Sequence, residues 1–336
     1  IIEEIIIHSG QHYSSNMSDL FFRELSLDAP KYFLNINNTT HGQMIGSMIK
    51  KIEIILLKIK PKLVIVYGDT NTTLAGAISA AKCNIPVAHI ESGLRSYNIT
   101  MPEEVNRKLT DHLSRILFVP TITAKNNLIK EGISDKIIYN YGDVMYDTLI
   151  RFLKIANKTS NLIKKYNLIT SKYILTTIHR EENTNNKKKL TTIVGVLIKL
   201  SLNEKIIWPI HPRTIKYLKK YRLFSILKKS KIMIMQPLGY MDFLMLEQNS
   251  SMIITDSGGV QKEAFMMKIP CAVLRNETEW HEPLKYGKSE LINVTNIKLI
   301  LKKIKSIKNK KVWNHMPYGR GDASKKIAKL ITRFVK

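Results

Sequence analysis

The chain is 336 residues long and 44% apolar, which favours two domains over one and supplies an ordinary globular core. Its apolar runs stop far short of the ~20 residues a membrane span needs, and no secretion-signal pattern opens it. Two cysteines, Cys83 and Cys271, each in an apolar stretch, exclude a disulfide framework and read as reduced core residues of a cytoplasmic protein.

The net charge of +26 raises the possibility of a nucleic-acid partner, but its placement argues otherwise. Residues 1–150 hold 15 basic and 15 acidic residues, while 151–336 hold 38 basic against 12 acidic. Much of that surplus is lysine on helical stretches such as Ile297–Lys311, and no aromatic-interleaved basic stripe accompanies it. The excess therefore reads as a solvated face that favours an anionic ligand, with neither nucleic acid nor membrane as partner.

In chain order, Ile5–Ser9 reads as a short strand and Ser18–Leu25 as a helix. His41–Lys60 carries Met44, Ile45, Met48, Ile49, Ile52, Ile55 and Leu56 at helical spacing, and Pro61 stops it. Strands at Lys62–Tyr67, Pro86–Ile90, Ile116–Pro120 and Lys136–Tyr141 then alternate with helices at Thr70–Lys82, Glu103–Ser114 and Thr123–Lys130. A basic helical connection, Leu149–Ile169, precedes a second round of the same pattern. Its strands are Tyr173–Thr177, Ile206–Pro209, Ile232–Met235, Met252–Thr255 and Cys271–Leu274. Its helices are Leu190–Leu202, Thr214–Leu223, Tyr240–Gln248 and Val260–Met267. Continuous apolar strands alternating with helices predict an α/β protein of two Rossmann-like, doubly wound domains, 1–150 and 151–336. The last helix is expected to pack back towards the first domain. Such sheets bind ligands beyond the carboxyl ends of their strands, so the expected site is an interdomain cleft lined by residues that follow strands.

Three acidic sites fit that position. Asp69 follows a strand and precedes a helix, where it could also be only an N-cap. Glu91 ends the next strand, and glutamate is a poor cap. Glu103 follows Pro102 at a helix start, where the helix dipole favours acidic residues. Carboxylates converging on one cleft edge suit general acid–base chemistry. In the second half, Asp256-Ser257-Gly258-Gly259 joins a strand to a helix whose first amides could cradle a phosphate, and Glu263 could take ribose hydroxyls. His179 and Arg180 follow another strand end, where they could meet a phosphate or an acidic partner, and His211 is a weaker case of the same kind. A nucleophile elbow, a Walker loop and zinc-ligand spacing are all absent, so no metal is implied.

Together these segments resemble the non-hydrolysing UDP-N-acetylglucosamine 2-epimerase family. The resemblance runs from about His8 to the C-terminus. It rests on Ser9-Gly10-Gln11-His12, Gly68-Asp69-Thr70, His89-Ile90-Glu91-Ser92-Gly93-Leu94-Arg95 and Met101-Pro102-Glu103-Glu104-Val105-Asn106-Arg107. It continues through His179-Arg180-x-Glu182-Asn183, Thr255-Asp256-Ser257-Gly258-Gly259-x-Gln261-x-Glu263 and Pro317-Tyr318-Gly319-x-Gly321-x-Ala323-Ser324. The resemblance implies a fold like that of the two-domain (GT-B) glycosyltransferases, a cytoplasmic homodimer and a cofactor-free isomerase. Its reaction would remove the C2 proton of UDP-GlcNAc, expel UDP from C1, return a proton to the other face of C2 and re-add UDP, giving UDP-ManNAc. Asp69, Glu91 and Glu103 match the catalytic carboxylates, with acid and base not assigned among them. Arg107 and His179 match residues lining the sugar and diphosphate. Ser257, Gly258, Gly259 and Glu263 match the UDP site, and Phe243 the uracil-stacking position. Gln11 and His211 lie near positions that hold a second, regulatory UDP-GlcNAc in bacterial members.

Two departures from the family pattern carry expectations. The opening strand with Gly-Thr-Arg-Pro-Glu has no counterpart in the sequence, so an incomplete first sheet and weak folding or activity are expected, with a UDP-sugar-binding remnant as one alternative. Thr278-Glu279-Trp280 stands where Thr-Glu-Arg-Pro is more frequent. With the stretch 179–185 it is closer to the branch that acts on UDP-2,3-diacetamido-2,3-dideoxyglucuronate, a second alternative. A GT-B glycosyltransferase is a third, and it would leave the C2 proton untouched.

Overall fold

The computed structural model describes residues 2–10, 28–36, 40–168, 172–308 and 315–336. The expected helix at Ser18–Leu25 and the candidate Gln11 lie outside the described residues. The backbone divides into two units, Ile1–Thr148 with Met316–Lys336, and Leu149–His315.

In the first unit, strands Ile7–His8 (β1) and Tyr32–Phe33 (β2) form a parallel pair. Val64–Tyr67 (β3), Val87–Ile90 (β4), Ile116–Val119 (β5) and Ile138–Asn140 (β6) form a parallel sheet in sequence order. Every residue of β4 and β5 is buried, as expected of strands covered on both faces. The covering helices are His41–Ile59 (α1), Asn71–Lys82 (α2), Pro102–Leu113 (α3) and Ile122–Lys130 (α4). Three of them start where a threonine side chain accepts an amide of the first turn: Thr40 from Gln43, Thr70 from Thr73 and Thr121 from Ala124. Helix α1 ends at Lys60 in a left-handed conformation, and Pro61 follows. The arrangement of β1 to β6 does not confirm the expected loss of an interior strand.

The helix Val144–Thr159 (α5) crosses the boundary between the units. In the second unit, β7 (Tyr173–Thr177), β8 (Lys205–Pro209), β9 (Met233–Met235), β10 (Met252–Thr255), β11 (Cys271–Val273) and β12 (Ser289–Leu291) form one parallel sheet. Its order is β12-β11-β10-β7-β8-β9. The two-residue side-chain period divides the core between its faces. Ile174, Ile206, Trp208, Met252 and Ile254 pack on one side, and Tyr173, Leu175, Ile207 and Ile253 on the other. The longer helices here are Lys187–Leu200 (α6), Pro212–Lys220 (α7), Tyr240–Gln248 (α8), Gly258–Met266 (α9) and Ile297–Lys308 (α10).

The final helix, Ala323–Val335 (α11), belongs to the first unit, where Ile327 and Ile331 bury against Ile90, Ile116 and Phe118. Its first amides, at Ala323 and Ser324, donate to the Asp147 carboxylate at 3.2 and 2.7 Å. Gly142, at φ +97°, lies so close to Tyr318 that a Cβ there would meet the Tyr318 carbonyl oxygen at 2.7 Å. Among the described residues no helix is long and apolar enough to cross a membrane.

Candidate active site

Two of the three acidic candidates, Asp69 and Glu91, follow strands at the carboxyl end of the first sheet, and the third, Glu103, lies in the first turn of α3. Asp69 follows β3, and because Thr70 supplies the cap of α2, the Asp69 carboxylate is released from capping. It pairs instead with Arg107, whose Nη1 lies 2.6 Å from its Oδ2. Arg107 is buried and also donates from Nη2 and Nε to Glu104 Oε2 at 2.8 and 3.1 Å. Asn106, beside it on α3, donates to the Asp69 carbonyl at 2.9 Å. Helix α3 thus holds both the side chain and the main chain of Asp69.

Glu91 stands at the end of β4 with φ +73°, a left-handed conformation that is uncommon for a non-glycine residue and costs of order 1–3 kcal/mol. The surroundings impose it: the amides of Glu91 and Ser92 both donate to the Phe118 carbonyl at 3.1 Å. Gly93, at φ +78°, sits so close to α4 that a Cβ would meet the Ala124 carbonyl oxygen at 2.4 Å. An acidic side chain held on a strained strand end is a functional-site signature.

Glu103 and Glu104 occupy the first turn of α3, after Pro102 at its first position. A helix turns about 100° per residue, so adjacent side chains take different faces. Glu104 is buried and accepts the amides of Ser96 and Tyr97 at 2.9 and 3.1 Å in addition to Arg107. Burial alone would raise its carboxyl, but those amides and the guanidinium outweigh burial and hold it below the usual glutamate range. Glu103 is exposed, so its carboxylate is available to solvent or ligand. Of the three acids, Asp69 and Glu91 are brought to neighbouring strand ends, paired in register as Tyr67 with Ile90, and Glu103 stands apart on the helix.

In the second unit, β7 and β10 are adjacent, with Thr177 opposite Thr255, so the segments that follow them lie side by side. Asp256 is fully buried there and accepts the backbone amides of His179 and Arg180, both at 3.0 Å, and Asn183 Nδ2 at 3.0 Å. This carboxylate shapes the turn that presents His179 and Arg180. Burial lowers the His179 imidazole below its usual value against the opposing pull of Asp256, so the ring is neutral near pH 7. Arg180 is half-buried and has no side-chain partner among the described residues. Ser257 caps α9, its Oγ accepting from the Val260 amide at 3.4 Å, which leaves the first amides of the helix pointing outward. A Cβ on Gly258 would lie 3.0 Å from Glu279 Oε1 and 3.5 Å from Trp280 Nε1, so glycine keeps this helix start open.

Glu263, one turn into α9, is buried and accepts from Tyr240 Oη at 2.8 Å. Burial pushes its carboxyl up to about 7, against the Tyr240 hydrogen bond and the Lys262 charge, which pull it down. Phe243 lies three residues after Tyr240 on α8, half-buried against the core. His211 caps α7 with its own ring, Nδ1 accepting the Arg213 amide at 3.1 Å, and its ring centroid lies 5.7 Å from that of His179. Among the described residues no group of three His, Cys, Asp or Glu side chains is arranged to hold a metal ion.

The sequence reading gave no role to the residues that hold these groups: Glu104, Asn106 and Asp256, which it met only inside motifs, and Tyr240, which it met only as a helix start. Each is a polar residue on an otherwise structural element. The one available signal was a polar residue inside a buried stretch, as at Asp256 after Met252–Thr255.

A family profile described as UDP-N-acetylglucosamine 2-epimerase matches residues 1–332. A UDP-N-acetylglucosamine 2-epimerase homolog of Methanococcus maripaludis is 49% identical over 331 residues, covering 98% of this chain and 92% of that relative. The UDP-2,3-diacetamido-2,3-dideoxy-D-glucuronate 2-epimerase of Pseudomonas aeruginosa is 42% identical over 336 residues, covering 99% and 92%. The crystal structure of the Methanocaldococcus jannaschii UDP-GlcNAc 2-epimerase in complex with UDP-GlcNAc and UDP superposes with a TM-score of 0.91 at 47% identity, over 99% of this chain and 92% of that one.

Proposed function

This chain belongs to the UDP-N-acetylglucosamine 2-epimerase family, and we propose that it is an isomerase that inverts C2 of a UDP-N-acetylhexosamine, interconverting UDP-GlcNAc and UDP-ManNAc. The observation that carries this reading is the likeness, over nearly the whole chain, to an epimerase that binds UDP-GlcNAc and UDP.

The chemistry sets what the residues must do. Removing the C2 proton while the C1–O bond to UDP breaks leaves a planar C1=C2 unit, a 2-acetamidoglucal. Inversion requires the proton to return on the opposite face, so two proton-carrying groups are needed. In this reading Asp69, Glu91 and Glu103 carry the protons. Arg107 aims Asp69. His179 and Arg180 meet the departing diphosphate together with Ser257 and the first helix amides, of Gly258 and Gly259. Glu263 accepts the ribose hydroxyls and Phe243 stacks on the uracil. No redox change occurs, so no cofactor enters. By family resemblance the enzyme works in the cytoplasm as a homodimer.

A second substrate is favoured by Trp280, which is buried with Lys262 Nζ 3.7 Å from its ring centroid, and by the Pseudomonas relative: UDP-2,3-diacetamido-2,3-dideoxyglucuronate. Incubating the chain in D2O with each sugar separates them. Deuterium at C2 of UDP-GlcNAc, with UDP-ManNAc appearing, is the expected result. Incorporation into the uronate alone moves the substrate, and incorporation into neither, with UDP still binding, leaves only a nucleotide-sugar-binding protein.

A further inference from the structure

The first unit contains a second buried charge network, separate from the Asp69–Arg107–Glu104 set. His89 sits in the interior strand β4 and is fully buried. Its Nδ1 lies 2.7 Å from Asp111 Oδ1 and its Nε2 lies 2.8 Å from the Gly68 carbonyl oxygen. The carbonyl can only accept. The Asp111 carboxylate also acts as an acceptor, taking the Gly93 amide at 3.2 Å and Arg95 Nη1 at 2.8 Å on its Oδ2. Both imidazole nitrogens are thus tied, one to the carboxylate and one to the carbonyl. Arg95 in turn forks onto Glu131, Nε to Oε1 at 2.8 Å and Nη2 to Oε2 at 2.6 Å. Basic and acidic side chains alternate along the chain of contacts: His89, Asp111, Arg95, Glu131. Burial by itself would raise the Asp111 carboxyl, but His89 and Arg95 outweigh it and hold it below the usual aspartate range.

The two ends of this network that face the sheet are the turns carrying the candidate acids. His89 holds Gly68, the neighbour of Asp69. Asp111 holds Gly93, two residues after Glu91, in a turn that has two left-handed residues. Glu104, Arg107 and Asp111 recur at spacings of three and four, so they lie along one face of α3. That face therefore grips Asp69 through Arg107, Gly68 through Asp111 and His89, and the Glu91 turn through Asp111.

Stability alone does not account for such a network. Burying several ions costs about as much as their attraction returns, and apolar replacements of buried ion pairs are often neutral or stabilising. A chain of directional bonds between two turns has a different effect, which is to fix their relative position. We propose that His89 and Asp111 are positioning residues that lock the Asp69 turn to the Glu91 turn, so that the two carboxylates keep one mutual geometry through the proton transfers. This rests on the reading of Asp69 and Glu91 as proton carriers.

The test uses the full chain, with kcat, KM, C2 deuterium incorporation from D2O and UDP affinity by calorimetry. Asp111→Asn and His89→Leu are expected to lower kcat by about 100-fold or more, as a misplacement of roughly 1 Å does. UDP affinity should stay within about twofold, because the nucleotide residues belong to the other unit. His89→Gln, which keeps one donor towards Gly68, should recover part of what His89→Leu loses. Glu131→Gln, at the outer end of the network, should cost less than about threefold. The proposal is overturned if His89→Leu or Asp111→Asn keeps kcat near wild type. It is equally overturned if the loss tracks UDP binding and thermal unfolding together, which is structural support only. If Asp111→Asn does not fold, the two His89 variants decide. No deuterium in the wild type with either sugar removes the proton-carrier reading, and this inference with it, while leaving a different signature from inactive variants of an active parent.

Discussion

The two units solve opposite electrostatic problems. In the first, the cations are consumed inside the protein: Arg107 by Asp69 and Glu104, and Arg95 by Asp111 and Glu131. What remains for a ligand is carboxylate, aimed by those pairs. In the second, the anion is consumed: Asp256 is fully buried under the amides of His179 and Arg180, and what faces outward is amide, imidazole and an Arg180 without a side-chain partner among the described residues. A site that moves protons needs carboxylates whose direction and charge are fixed, whereas a site that holds a diphosphate needs donors left unspent. The overall surplus of 26 positive charges says nothing about this division, because the local pairing decides which charges remain free.

The largest effect expected from breaking this comparison is on the carboxylates. Glu91→Gln or Asp69→Asn removes a proton carrier without changing shape, and kcat should fall by about 100- to 10,000-fold. Calorimetry should find UDP affinity unchanged in both. A parallel loss of nucleotide binding would mean that these acids act on the ligand rather than on its C2 proton.

A smaller loss is expected on the other side. Arg180→Ala removes a charged donor worth about 1.5–3 kcal/mol, roughly 10- to 100-fold in UDP affinity. Gly258→Ala, whose Cβ would crowd Glu279 and Trp280, should weaken UDP by about tenfold through the same helix start. Both should raise KM for the nucleotide sugar more than they lower kcat.

Glu263 gives a pH test. Its carboxyl is raised to about 7, so the neutral form dominates below that pH and only the ionised form accepts two ribose hydroxyls well. UDP affinity should therefore fall as pH is lowered from 8 to 6. The stability sign is opposite: the folded chain binds more protons at Glu263 than the unfolded chain does between the ordinary glutamate value and 7. This contribution to stability is accordingly present at low pH and lost as pH rises through that window. Tyr240→Phe removes a hydrogen bond that lowers the carboxyl, so its affinity–pH curve should shift upward in pH. A curve that does not move would uncouple Tyr240 from ribose binding.

The smallest effect is expected at the basic helix α10, whose Lys302 and Lys305 are exposed. Lys302→Ala with Lys305→Ala should change unfolding free energy by less than about 0.5 kcal/mol. UDP affinity should stay the same, as befits a solvated face, and a clear drop would show that the lysines steer the anionic ligand.

Much of the fold was legible because it rests on local rules. The strands Tyr173–Thr177 and Met252–Thr255 and the helix Tyr240–Gln248 match their expected bounds, since apolar period and flanking breakers act over a few residues. Helix starts came out one to three residues earlier than expected: at Pro102, Pro212 and Gly258 a proline or glycine is taken into the first turn, and at Lys187 the Asn186 side chain caps the helix by accepting the Lys189 amide. The two-residue strand at Tyr32–Phe33 and the strand Ser289–Leu291 went unread. Each is defined by its neighbour across the sheet, and three residues carry no period of their own.

The carboxylates show where the local rules end. Residue types, strand ends and glycine turns placed Asp69, Glu91, Glu103, His179 and Ser257–Gly259 as candidates, because such positions are set by chain direction within a few residues. Nothing local separates Glu103 from Glu104, two identical neighbours in one helical turn. Packing buries Glu104 on Arg107 and leaves Glu103 in the open, because the rotation of α3 against the sheet, and not the residue type, sets which face is covered. The same holds for His89 and Asp111, 22 residues apart in the chain and 2.7 Å apart in space. Their link exists only once β4 and α3 are packed together, since a hydrogen bond reaches about 3 Å and sequence separation carries no information about it.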